Sequence, residues 1–340
     1  MSLSYDSLTA LINERYIPTL YDNIFNKNNY LARKLKDKAK TFNGRQFTTP
    51  LEYANGSNAA FTAKYGTVTL TPIDPFTAAT WEPKMITDSL VISLEEELMM
   101  NTPEAVTNIV TAKMKNVMKG LELFFSLNLW SRSLATNGWN PLYTLLDAST
   151  TQGGIAVADM ATWATTVIDA AGTDYTDDPS LEADLVDPAK DVYILKLLQR
   201  GIAVCRHQTG ENPDLIVVPQ YIWDLLEFIL QAQKGGSPLS ARAASLGFTA
   251  LDYRGIDITP DDTGVIKQTG DTDGLMWFLN TNYLYMFFNS GAKFKAQEWV
   301  KAANQNAKSC LINVYGNLIT TNRQAHCLIK NVRSPQSYAG

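Results

Sequence analysis

The chain has 340 residues, 45% hydrophobic and 19% charged, with a net charge of −5. That length supplies one elaborate domain or two ordinary ones, and the acidic balance excludes a polycation that grips nucleic acid by bulk charge. The start, Met1-Ser2-Leu3-Ser4-Tyr5-Asp6, lacks a basic-then-apolar signal pattern, and no apolar run nears the roughly 18 residues of a membrane span. Cys205, Cys310 and Cys327 form no CxxC and read as reduced, buried thiols of a chain made in cytoplasm.

In chain order, residues 5–41 predict a helical arm. Leu8, Leu11, Ile12, Tyr16, Leu20 and Ile24 form its stripe, broken at Pro18. Lys27, Arg33, Lys34, Lys36, Lys38, Lys40 and Arg45 make a basic stretch opposed only by Asp37. It is a candidate contact for DNA or a neighbouring subunit, or simply a solvated helix face.

Residues 43–93 alternate apolar and polar positions. Phe47, Leu51 and Tyr53 ascend, Ala79, Trp81, Pro83 and Met85 return, and Leu90, Ile92 and Leu94 continue. Asn55-Gly56-Ser57-Asn58, Tyr65-Gly66 and Thr71-Pro72-Ile73-Asp74-Pro75 supply turns. The pattern predicts a long antiparallel hairpin. A lone hairpin is marginally stable in water, so Phe61, Tyr65, Phe76 and Trp81 need a covering surface. Another copy of the chain is the simplest one.

Residues 102–130 predict a helix about 40 Å long. Thr102 caps it, Pro103 suits its first turn and Glu104 complements its dipole. Val106, Ile109, Val110, Val117, Leu121, Phe124 and Phe125 form the expected inner face. Residues 131–190 read as loops around one helix near Met160–Ala171, with an acidic loop from Asp174 to Asp187. Helices follow over Asp191–Cys205 and after Pro219, around a short buried strand, Leu215–Val218. Gln233–Pro238 is a Gly-rich break. The rest reads as strands: Thr249–Tyr253, Ile256–Thr259, Leu275–Leu279, Tyr283–Phe288, Lys293–Val300, Ser309–Val314 and Leu318–Ile329. Turns are expected at Asn280-Thr281-Asn282, Asn289-Ser290-Gly291 and Gly316-Asn317.

Catalytic motifs are absent from this pattern: no GxSxG, no P-loop, and no GxGxxG after a strand. Cys205-Arg206-His207 offers two metal ligands without the third and fourth that zinc requires. His326 and Cys327 are adjacent in a strand and face opposite sides. Asp261-Asp262 and Asp271-Thr272-Asp273-Gly274 do not complete a calcium loop and read as turns. No catalytic residue, cofactor or metal is expected.

The order of elements, with Leu215-Ile216-Val217-Val218-Pro219-Gln220-Tyr221, Leu251-Asp252-Tyr253-Arg254-Gly255-Ile256-Asp257-Ile258 and Leu279-Asn280-Thr281-Asn282-Tyr283-Leu284, resembles the major capsid protein of tailed bacteriophages. Asn304-Gln305-Asn306-Ala307 through Gly316-Asn317-Leu318 looks like that family's closing strands. The resemblance implies an α+β, Hong Kong 97-like coat fold. Its parts would be an N-terminal arm (1–42), an extended E-loop hairpin (43–93), the spine helix of the P domain (94–139), an α/β A domain (140–270), and closing strands with the P domain and C-terminus (271–340).

It further implies self-assembly into hexamers and pentamers of an icosahedral head, built in the host bacterial cytoplasm around weakly held double-stranded DNA. A chain beginning near the arm implies a separate scaffolding protein, beside portal and possible decoration proteins, and no membrane. Some members cross-link a lysine of this hairpin to an asparagine of a neighbour; Lys64 lies in the hairpin and could be such a donor, but an ordinary surface lysine is the favoured reading, since the reaction needs a desolvated amine. Two alternatives stay open: an α+β enzyme or ligand-binding protein with its site at loops 174–187 and 261–273, and another virion component from tail or baseplate.

Overall fold

The computed structural model describes residues 30–52, 58, 60–67, 75–99, 103–170, 192–234, 250–261, 273–301 and 305–333. The expected arm helix therefore enters only at its end, as α1 (Tyr30–Asp37). The chain then becomes a strand rather than more helix. β1 (Lys40–Phe42) pairs parallel with β10 (Leu284–Asn289), Thr41 opposite Phe288.

β2 (Phe47–Glu52) and β3 (Phe76–Trp81) form the expected antiparallel ladder, Phe47 opposite Trp81 and Glu52 opposite Phe76. β4 (Lys84–Ser93) leaves the hairpin and pairs along its whole length with β13 (Ala307–Thr320). After the short α2 (Leu94–Met99), α3 runs Pro103–Trp130, within one residue of the predicted helix. Its 28 residues extend about 42 Å. Val110, Met114, Met118, Leu121, Phe125 and Leu129 are buried at helical spacing. Phe124, expected inside, lies one step round the cylinder and is half exposed.

Two six-stranded sheets share the load of the core. In the first, β13 is the hub: β1, β10 and β13 run side by side, and β4, β11 (Lys295–Ala296) and β12 (Val300–Lys301) also pair with β13. The second has the order β5-β14-β9-β6-β8-β7, where β5 is Thr166–Asp169, β6 Leu215–Val218, β7 Leu251–Tyr253, β8 Ile256–Pro260, β9 Asp273–Leu279 and β14 Cys327–Arg333. Ile216, Val218, Met276, Phe278 and Ile329 share a core with residues of α5 (Val192–Thr209) and α6 (Gln220–Lys234). Leu215, Val217, Trp277, Leu279 and Leu328 belong to the core that also holds α3, α4 (Leu142–Leu145) and residues of the first sheet. Both faces of β6 are therefore covered, which is why its run is continuously apolar.

Several sequence expectations give way. The predicted helix near Met160–Ala171 is a single 3-10 turn, Ala161–Trp163, followed by β5. Trp163 is buried with its Nε1 donating to Gln152 O at 3.0 Å, and the β-branched run Thr165-Thr166-Val167-Ile168 favours a strand. The strand expected over Lys293–Val300 breaks into β11 and β12, with Phe294 at φ 52.

No turn exists at Gly316-Asn317, because both lie inside β13. A Cβ on Gly316 would sit 2.2 Å from Phe287 O, so glycine here permits a close approach between strands. Asn317 is buried. Its Nδ2 donates to Glu82 O at 2.9 Å, and its Oδ1 accepts from Asn140 N at 2.8 Å. β9 and β14, beyond residue 270, flank β6 or one another in the second sheet.

Candidate assembly surface

The alternation of β2 and β3 places Thr49, Leu51, Ala79 and Trp81 on one face, and all four are buried. Gly153, at φ +61, meets that face. A Cβ there would lie 2.7 Å from Ala79 Cβ and 3.2 Å from the Trp81 ring, and Gly153 O accepts from Thr80 N at 2.9 Å. The hairpin base is thus riveted to the chain's own 150–155 loop. Trp81 does not await a partner: it is 2% exposed in its own subunit.

Beyond the base the picture reverses. Every described residue from Ala60 to Thr67 is exposed. Phe61 is 110% exposed, Tyr65 90% and Phe76 66%. Two large aromatic rings presented to water at a loop tip are unfavourable to leave uncovered, at about 25 cal/mol per Å² of apolar area. Lys64 is also exposed, so within one subunit it lacks the desolvation that the cross-linking reaction requires.

The basic stretch is largely engaged by its own chain. Lys34 Nζ donates to Asp214 O at 3.0 Å and lies 3.4 Å from Asp214 Oδ2 and 3.7 Å from Asp257 Oδ2. Tyr30 Oη donates to the same Asp257 oxygen at 2.7 Å. Lys38 Nζ donates to Thr281 Oγ1 at 2.8 Å and Asn282 Oδ1 at 2.7 Å, and burial pulls its pKa down against the opposing pull of Asp214. Lys40 Nζ stands 3.8 Å above the Tyr285 ring. Arg45 is exposed. Lys27 lies outside the described residues, as do the side chains of Arg33 and Lys36. These contacts pin α1 across the end of the second sheet. They were invisible in sequence because Lys34 and Asp214 stand 180 residues apart.

Cys205 is fully buried and His207 exposed, so the two do not converge. No cluster of metal-ligating side chains forms among the described residues. His326 is fully buried, its Nδ1 accepting from Asn280 N at 3.2 Å and its Nε2 3.3 Å from Thr320 Oγ1. Burial pushes its pKa down to about 3, so it is a neutral structural imidazole. Asp261 is buried, its backbone N–H donating to Val218 O at 3.0 Å. Asp262, Asp271 and the loop at 174–187 fall outside the described residues. No described helix is long and apolar enough to cross a membrane.

Sequence reasoning missed Arg323. Its buried guanidinium donates to Leu145 O at 3.0 Å and Thr150 O at 3.2 Å, and also to Asp147 O. It holds the loop leading to Gly153 and hence the seat of the hairpin base. No local signal marks it, since its partners are backbone carbonyls.

The architecture is that of a coat fold. No family model and no curated protein matches the chain. Solved structures do. The cyanophage A-1(L) capsid asymmetric unit matches with a TM-score of 0.57 at 11% identity, over 88% of this chain and 91% of that one. The capsid of an empty GTA particle, computed with C5 symmetry, matches with a TM-score of 0.53 at 10% identity, over 88% of this chain and 89% of that one. At such identities the likeness is one of fold. The fold is α+β and Hong Kong 97-like, as the order of elements implied.

Proposed function

We propose that this chain is the major capsid protein of a tailed bacteriophage, a structural subunit that assembles into hexamers and pentamers of an icosahedral head. The observation that carries this reading is a coat fold over most of the chain that leaves Phe61 and Tyr65 uncovered at a hairpin tip. The hairpin is the E-loop, lying over an adjacent subunit with Phe61, Tyr65 and Phe76 as anchors, while Trp81 fixes its base to the parent subunit. α3 is the spine helix of the P domain. The six-stranded sheet with α5 and α6 is the A domain, which packs about the capsomer axis. Scaffolding, portal and decoration proteins are the expected accessory partners, packaged double-stranded DNA the weakly held content, and the virion capsid, built in the host bacterial cytoplasm, the location.

Size-exclusion chromatography and negative-stain electron microscopy of the purified chain test the reading. Closed shells, or rings of five and six subunits, are the expected result. A compact monomer at all concentrations would overturn it, and open tubes would point to a tail protein.

A further inference from the structure

If the chain encloses DNA as proposed, the described part of the arm offers that DNA little contact, because Lys34, Lys38 and Lys40 are engaged within the subunit. α5 offers more. Its 18 residues carry Lys196, Arg200, Arg206 and His207 and no Asp or Glu, in a chain of net charge −5. Arg200, Arg206 and His207 are exposed, and neither arginine pairs with a described carboxylate. Arg200 and His207 stand two turns apart on one face, about 10 Å along the axis.

Between them, Ala203 and Val204 floor an open groove of about 430 Å³, closed on one side by Thr166 of β5 and by Gln208. Gln208 Nε2 donates to Thr166 Oγ1 at 2.7 Å, which fixes that wall. A small anion would need an enclosed pocket with converging donors. Here the exposed guanidinium of Arg200 stands on an open surface and that of Arg206 a third of a turn further round the helix, which fits a polymer. No aromatic side chain lines the groove among the described residues, so these offer no platform for unstacked bases. Guanidinium forks suit phosphate oxygens.

We propose that the exposed side of α5, from the Arg200 groove round to Arg206, is the nucleic-acid contact of the subunit, binding the phosphate backbone of duplex DNA without sequence preference. The inference rests on the shell reading for its biological setting. Two arginines per subunit give weak, salt-labile contacts that add up only across many copies.

Fluorescence anisotropy of the assembled chain with a short labelled DNA duplex, titrated with sodium chloride at pH 7, tests it. Replacing Arg200→Gln and Arg206→Gln together should lower the slope of log Kd against log salt by about 2. Lys115→Gln with Lys119→Gln, exposed lysines on α3, should leave the slope unchanged. Ala203→Lys should raise it by about 1 and keeps the test open if the double variant does not fold. An unchanged slope in the α5 variants, or an equal loss in the α3 pair, overturns the proposal. So does tighter binding of polyglutamate than of duplex, which would make the partner an acidic protein. Micrographs of the same samples separate the two readings: particles whose DNA binding ignores Arg200 sink the α5 contact alone, whereas absent particles sink the shell.

Discussion

Uncharged and sealed from water, His326 ties the end of β9 to the end of β13. Its Nδ1 accepts the Asn280 N–H, so Nε2 carries the proton and faces Thr320 Oγ1, which donates to Asn322 O at 3.2 Å. A histidine whose folded pKa is about 3 binds fewer protons folded than unfolded, where the ordinary value of 6.5 applies. Its stabilising effect is therefore complete above pH 6.5 and is lost as pH falls toward 3. Urea unfolding of the subunit should show its midpoint dropping across that window, and His326→Gln should flatten the drop. Arg323→Met is the companion test of buried polarity. It orphans the carbonyls of Leu145, Asp147 and Thr150, at a cost of about 3 kcal/mol in unfolding free energy. A loss near zero would mean that these carbonyls find water.

At the scale of elements, the hairpin divides into two parts that respond to different measurements. Trp81→Ala should cost about 3–5 kcal/mol of subunit stability, because it empties the site between Gly153 and the core. Deleting residues 55–74 should leave the thermal midpoint of the subunit almost unchanged while abolishing higher assembly. A tip deletion that unfolds the subunit would show that the tip packs on its own chain. The division also marks what was legible in sequence. Alternation gave the strands and the two faces, and the absence of any local cover gave Phe61 and Tyr65. It could not say what lay over Trp81, since Gly153 and Ala79 are 74 positions apart and only folding brings them together. α3 was readable almost to the residue because the sequence sets a cap-forming residue type, Thr102, before Pro103. Gly316-Asn317 misled because glycine beside asparagine favours turns, while here glycine serves strand proximity and asparagine bridges to Glu82 and Asn140. The basic stretch misled similarly: its composition was plain, but its acidic and aromatic partners come from chain segments far away.

At the scale of the whole molecule, the apolar character of the exposed tip makes a claim about temperature. Phe61 and Tyr65 present aromatic rings, so a contact built on them is driven by release of water from apolar surface. Such contacts weaken on cooling and respond little to salt, unlike a contact built on ion pairs. If the chain assembles as proposed, its oligomers should therefore loosen between 25 °C and 4 °C and survive added sodium chloride. Phe61→Ser with Tyr65→Ser should lose assembly at both temperatures, with each subunit as stable to urea as the parent. Analytical ultracentrifugation across temperature and salt reads all of this directly. Assembly that strengthens on cooling and dissolves in salt would mean that charge holds the subunits together, shifting the joint from the hairpin tip to Arg45 and other exposed cations. The two outcomes predict opposite trends in both variables, so one matrix of conditions decides between the hairpin tip and the exposed cations.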